Sequence, residues 1–213
     1  MTQRASLLLK GSLLHILLTG IDGAGKSTAG RGLVDAIIAH GGDAILLTTF
    51  SGRRTMTSWW DALGWSPSIH WQDRVETVIR VVNAIINETR RRRPDCVVII
   101  DRGLVCQLAL REARGLPRGV VLPLFQRLLR APDVIAFFNL PTDQALARVR
   151  ARATDVETLT SLSALETGYR NLPEYVNFTP INASQPTEDI VLDLLTITGR
   201  YRKPTLLKEM TAL

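Results

Sequence analysis

An apolar run at 13–19, LLHILLT, leads directly into GIDGAGKST at 20–28, and the amphipathic pattern of 26–40 then ends at Gly41-Gly42. Few folds accept a glycine-rich loop squeezed between a buried strand and a helix start. The residues fit G-x-x-x-x-G-K-[ST] at Gly20, Gly25, Lys26 and Ser27,. Glycine lets the backbone wrap a polyphosphate closely with its amides turned inward, and the helix amino terminus adds partial positive charge. The loop residues Gly20, Asp22, Gly23, Ala24, Gly25, Lys26, Ser27 and Thr28 are therefore candidate nucleotide contacts. Lys26 is placed to reach the β- and γ-phosphates, and Ser27 to ligate magnesium.

Further apolar runs at 44–48, 96–101 and 134–140, with a weaker one at 176–182, read as buried parallel strands,. Helical patterns at 71–93, 104–113, 121–130, 143–153, 156–169 and 187–198 separate or follow them,. This alternation predicts an α/β fold, a five-stranded parallel sheet with helices on both faces. With 213 residues and 46% hydrophobic content, the chain is expected to form one domain over 1–213, with its core at 13–199 and a tail at 200–213,. No run approaches the roughly 20 apolar residues of a membrane span, and 7–18 lacks the cleavage site of a signal peptide, so a cytoplasmic protein without membrane contact is expected. Cys96 and Cys106 fall in or beside an apolar strand, where buried thiols are expected in place of a disulfide,.

A net charge of +6 and a pI near 9.9 suit any protein that handles phosphates,. The positive charge is mostly arginine, scattered along the chain, and its one run, 90–93, closes a predicted helix, where cations offset the helix dipole,. That distribution argues against nucleic acid as the partner. Lysine occurs only at positions 10, 26, 203 and 208, never in an N-K-x-D arrangement, which disfavours a guanine-specific switch. The strand VVIID ends in Asp101, a second candidate magnesium ligand, followed by Arg102,.

These segments resemble the thymidylate kinase family of P-loop nucleoside monophosphate kinases, from about residue 14 to residue 195. GIDGAGKST resembles that family's loop, QDRVETVI its acceptor-gripping helix arginine (Arg74), and IIDRG its Asp-Arg-Tyr (Asp101 and Arg102). LPTDQALARVRAR is similar to its arginine-bearing lid, expected at about 142–160, and INASQPTEDI to the segment bordering adenine, with Asn182 and Ser184. The resemblance implies ATP and Mg2+, a nucleoside monophosphate such as dTMP as small-molecule acceptor, and a homodimer. It also implies a role for Asp22 near the acceptor sugar or the transferring phosphoryl. Transfer between polyanions requires several arginines to converge, because a guanidinium holds two phosphate oxygens and keeps its charge. Arg53, Arg54, Arg74 and Arg102 are the acceptor-side candidates, and Arg148 and Arg152, on one helical face, the lid pair with Arg150 turned away.

The base pocket departs from the family pattern. Gly103 stands for the tyrosine, His70 with Trp71 beside it for the stacking aromatic, and Cys106 and Leu110 for a hydroxyl and an aromatic. Trp59, Trp60, Trp65 and Trp71 cluster nearby, either as a different acceptor pocket or as a packing patch. Two alternatives therefore stand beside the main expectation. One is a kinase of the same fold acting on a nucleoside or other hydroxyl compound, with Asp22 or Asp101 as base; the other is a nucleotide-binding module without turnover. A phosphate acceptor is already ionised at neutral pH, with a second pKa of about 6, and needs no base.

Overall fold

The computed structural model describes residues 14–49, 64, 66–91, 95–152 and 157–210, with side chains to 199. Arg53, Arg54, Trp59, Trp60 and Trp65 lie outside the described residues, as does part of the expected lid, 153–156. Five strands, β1 (Leu14–Thr19), β2 (Asp43–Thr48), β3 (Cys96–Asp101), β4 (Val134–Asn139) and β5 (Phe178–Asn182), form one parallel sheet in the order β2-β3-β1-β4-β5. Every residue of β1 and β3 is buried, as expected of central strands covered on both faces,.

Alternation along the strands divides the core. Ile16, Leu18, Ile99 and Phe138 pack with Leu33 and Ile37 of α1 (Lys26–Ala39) and with Ile190 and Leu194 of α7 (Thr187–Met210). Leu17, Val98, Ile100 and Phe137 face the other way. They meet α2 (Ile69–Arg90), α3 (Leu104–Ala113), α4 (Val121–Leu128) and Tyr169 of α6 (Leu159–Arg170). The remaining helix, α5 (Thr142–Arg152), precedes α6 in the chain.

The parallel-sheet expectation holds, and most element ends fall within a few residues of their predicted positions. Helix α2 starts earlier than predicted because Ser68 caps it, its Oγ accepting from the Trp71 amide at 3.4 Å,. Helix α6 starts later, at a capping box in which Thr158 and Ser161 exchange hydrogen bonds at 3.1 Å,. Pro173 opens a 3-10 turn, Pro173–Asn177, so β5 begins only at Phe178. Helix α7 passes its predicted end and reaches Met210, with Thr198 buried and bonded to the Leu194 carbonyl at 2.7 Å. Cys96 and Cys106 are both buried, and neither forms a disulfide.

His15 on β1 is fully buried, and neither ring nitrogen has a hydrogen-bond partner. Burial first, then Arg130 and Arg91, push its pKa down from 6.5 to about 4, against an opposing pull from Asp133. The unfolded chain therefore binds more protons between those two values. Stability should be complete above pH 6.5 and fall as pH drops toward 4,. Thermal unfolding from pH 7 to pH 5 should show a smaller loss of Tm in His15→Met than in the natural chain; an equal loss would assign the acid sensitivity elsewhere.

Candidate active site

Parallel registry brings the carboxyl ends of β1 and β3 side by side, with Leu18 opposite Asp101. Open sheets of this type bind ligands in the crevice beyond those ends. The loop after β1 is fixed by close approaches that only glycine permits. A Cβ on Gly20 would meet the Phe138 carbonyl at 2.8 Å, and one on Gly23 would meet the Ala145 carbonyl of α5 at 2.4 Å. Both have positive φ, 132° and 87°, so strand β4 and helix α5 buttress the loop from one side,. Gly25, also left-handed, turns the chain into α1.

Lys26, the first residue of α1, is buried, and its Nζ donates to the carbonyls of Gly20 at 2.9 Å and Ile21 at 2.6 Å. Burial, then Arg102, lowers its pKa to about 8, while Asp22 and Asp101 pull the other way. Its ammonium is therefore held at a site where added negative charge is favourable.

Ser27 Oγ donates to Asp101 Oδ2, joining the first turn of α1 to the end of β3. Asp101 is buried, and its Oδ1 has no hydrogen-bond partner. One orphaned carboxylate oxygen beside a serine hydroxyl fits magnesium, which takes one or two protein oxygens and completes its shell with water and phosphate. Among the described residues, no group of three or more His, Cys, Asp and Glu cages a metal, so a tighter all-protein site is not present there.

Arg102 follows Asp101 with φ +69°, a conformation that a non-glycine residue rarely holds, while its amide donates to the Leu18 carbonyl at 3.1 Å,. This backbone turn aims its guanidinium across the loop, where Nη2 pairs with Asp22 Oδ1. Burial is the largest influence and opposes its charge, but Asp22 first, with Cys106, Tyr169 and Asp101, together raises the pKa above the ordinary arginine value. Asp22, Lys26, Ser27, Asp101 and Arg102 thus meet at one place.

Other predicted residues surround this centre or stand apart from it. Arg148 Nη1 donates to the Ala183 carbonyl at 3.0 Å, tying α5 to the turn in which Asn182 Oδ1 accepts from the Ser184 amide at 3.1 Å. Arg150 and Arg152 are exposed. His70, Trp71 and Arg74 lie on the exposed first turns of α2. A Cβ on Gly103 would meet the Leu17 methyl groups at 3.0 Å and 3.2 Å, so a larger residue there would displace Leu17.

Sequence reasoning missed the buried polar seam between α2 and α3. Asp73 accepts from Arg111 Nε at 2.8 Å and Nη2 at 2.7 Å, and Glu76 from both terminal nitrogens of Arg114 at 3.1 Å. Gln107 Nε2 bridges both acids at 3.0 Å and 3.2 Å, and its Oε1 accepts from Arg80 Nε at 3.1 Å. Arg80 is only 3% exposed, its Nη1 has no partner, and its electrostatic neighbours include Cys106 and Arg102 at the crevice floor. The matched spacing of Asp73 and Glu76 against Arg111 and Arg114, three residues apart on both helices, is the signal that points to this seam.

This geometry can be set against known proteins. No family model matches the chain. The thymidylate kinase of Xanthomonas oryzae pv. oryzae (strain PXO99A) is 33% identical over 151 residues, 68% of this chain and 63% of that protein. By sequence the chain is similar to thymidylate kinases. The thymidylate kinase of Xanthomonas campestris pv. campestris (strain B100) is 34% identical over 152 residues, with the same coverage of 68% and 63%. A probable thymidylate kinase of Thermococcus onnurineus (strain NA1) is 26% identical over 204 residues, 86% of this chain and 96% of that protein. The chain thus spans about 63% of the length of the Xanthomonas relatives it matches. No helix among the described residues is long and apolar enough to cross a membrane.

Proposed function

We propose that this chain is an ATP-dependent phosphotransferase that passes the γ-phosphoryl to a nucleoside monophosphate, with dTMP the first acceptor to test. The observation that carries the reading is the meeting of Lys26, Ser27, Asp101, Arg102 and Asp22 at the exits of β1 and β3. In this reading the loop amides from Gly20 to Thr28 and the amino terminus of α1 cradle the donor phosphates. Lys26 exchanges its two carbonyl partners for phosphate oxygens, and Ser27 and Asp101 hold Mg2+. Bound there, the ion would neutralise charge building on the transferring group. Arg102, positioned by Asp22, meets the acceptor phosphate, and Arg53, Arg54 and Arg74 approach from the acceptor side. Arg148 and Arg152 belong to a lid whose base already packs on the loop, and Asn182 and Ser184 border the adenine.

Arg80 enters this proposal from the structure. Arg80 gives its Nε hydrogen to a neutral amide and leaves Nη1 unpartnered among the described residues, with Glu76 the carboxylate acting on it, and a buried guanidinium is costly to hold without a closely bonded anion,. We assign it to the acceptor, at the floor of the crevice. Arg80→Met should keep or raise Tm while lowering kcat/KM for the acceptor by roughly tenfold or more at unchanged KM for ATP. A loss of stability with acceptor kinetics intact would make Arg80 structural.

A second reading, a kinase of this fold for another acceptor, is favoured by the departures from the family pattern at His70, Gly103, Cys106 and Leu110. Gly103, Cys106 and Leu110 replace the groups expected to select thymine, and a site without placed hydrogen bonds discriminates poorly. Incubation with a panel of nucleoside monophosphates and nucleosides, read by ADP formation, separates the readings. Stimulation by monophosphates supports the main proposal, stimulation by nucleosides alone supports the second, and ATP binding with no stimulation would indicate a module without turnover.

The oligomeric part of the proposal rests on α2. Trp71, Val78, Val82, Ile85 and Ile86 are exposed along one side of that helix, Val78 by 61%. Spacings of seven residues from Trp71 to Val78, then four and three or four, keep these side chains on one side of the helix, an apolar stripe of the kind buried between paired helices,. We infer a homodimer across this stripe, to be tested by sedimentation of the natural chain and Val78→Lys.

A further inference from the structure

Gln107 is fully buried in the middle of the α2–α3 seam, and only one orientation of its side-chain amide satisfies its surroundings. Its Nε2 donates to Asp73 Oδ1 at 3.0 Å and to Glu76 Oε2 at 3.2 Å. Carboxylates only accept hydrogen bonds, so the nitrogen has to face them; turned over, the amide would set its oxygen against both acids. The acids are themselves fixed, Asp73 by two nitrogens of Arg111 and Glu76 by two of Arg114. The amide oxygen is left with one direction, toward Arg80, whose Nε donates to it at 3.1 Å.

That contact orients a guanidinium without neutralising it. The group is planar, so a bond at Nε sets the plane in which both terminal nitrogens lie. Glu76 acts on Arg80 electrostatically, but its oxygens are already bonded to Arg114 and Gln107. A glutamate at position 107 would give Arg80 a closely bonded anion of its own; the neutral amide holds the group in place and leaves that demand open. The crevice lies on the other side of Arg80. Cys106 and Arg102 are among its electrostatic neighbours, and Cys106 Sγ is 3.3 Å from Thr19 Oγ1 at the end of β1.

We propose that Gln107 is a positioning residue of the acceptor site, fixing the Arg80 guanidinium for the incoming acceptor. The proposal rests on the reading that Arg80 meets the acceptor. Gln107 itself does not touch the acceptor, because both ends of its amide are already bonded within the protein. Its effect passes through Arg80, and that route gives it a kinetic signature.

Gln107→Met keeps the length of the side chain and removes both hydrogen-bonding ends. With the monophosphate that best stimulates ADP formation, it should lower kcat/KM for the acceptor by about tenfold at unchanged KM for ATP. Added to Arg80→Met, it should cost no more than about a further twofold, since the group it positions is gone. A merely structural role would lower kcat/KM alike in both backgrounds, and that result, or an unchanged acceptor kcat/KM in Gln107→Met, would overturn the proposal. A second measurement needs no turnover: solvent exchange of the Arg80 Nε proton, followed by NMR, should be at least about tenfold faster in Gln107→Met than in the natural chain. Equal exchange rates would contradict the positioning contact. If Gln107→Met does not fold, Gln107→Leu carries the same predictions. Absence of turnover with every monophosphate in the natural chain would sink this proposal together with the reading beneath it, whereas turnover that falls in Arg80→Met but not in Gln107→Met would sink the positioning role alone.

Discussion

Lys26→Ala is expected to lower ATP-dependent phosphoryl transfer by roughly a thousandfold, the loss typical of removing a preorganised charge from a developing anion. The magnitude follows from where the ammonium sits. Lys26 is buried, held by two carbonyls of its own loop, and its charge is disfavoured by burial and by Arg102 enough to bring its pKa to about 8. An anion delivered there relieves a cost already present in the folded protein. Alanine removes that cost too, so the variant should be at least as stable as the natural chain, and thermal unfolding beside the activity assay separates lost chemistry from lost fold. Activity within tenfold of the natural chain would remove the lysine from the mechanism.

Asp101→Asn should cost about a hundredfold or more in turnover and raise the magnesium concentration needed for half-maximal rate. The substitution keeps the size of the side chain and an oxygen able to accept from Ser27, while it removes the carboxylate charge and alters the orphaned Oδ1 position. Ser27→Ala should act in the same direction with a smaller loss. A magnesium dependence unchanged in Asp101→Asn would mean that the ion is held elsewhere.

The sheet and the loop were legible in the sequence for physical reasons. Strands β1 and β3 are buried on both faces, so they are written as unbroken apolar runs, and the backbone approaches of Gly20 and Gly23 to β4 and α5 leave no alternative to glycine. Asp101 and Arg102 were legible because they end such a run. The α2–α3 seam was not, because hydrophobic periodicity finds apolar faces, and the buried face of α2 carries Asp73, Glu76, Thr77 and Arg80. Polar burial of that kind becomes visible only when its partners on the facing helix, Gln107, Arg111 and Arg114, are considered with it. Arg74 drew attention through local resemblance, whereas burial singles out Arg80, six residues further along the same helix.

The most direct test of the central claim is ADP formation from ATP and magnesium, measured with each nucleoside monophosphate in turn for the natural chain and for Lys26→Ala. At least one monophosphate, dTMP first among them, should stimulate ADP formation and itself become the diphosphate, with both signals lost in the variant. If no monophosphate stimulated turnover, or if Lys26→Ala turned over as fast as the natural chain, the crevice beyond β1 and β3 would not be the phosphoryl-transfer site described above.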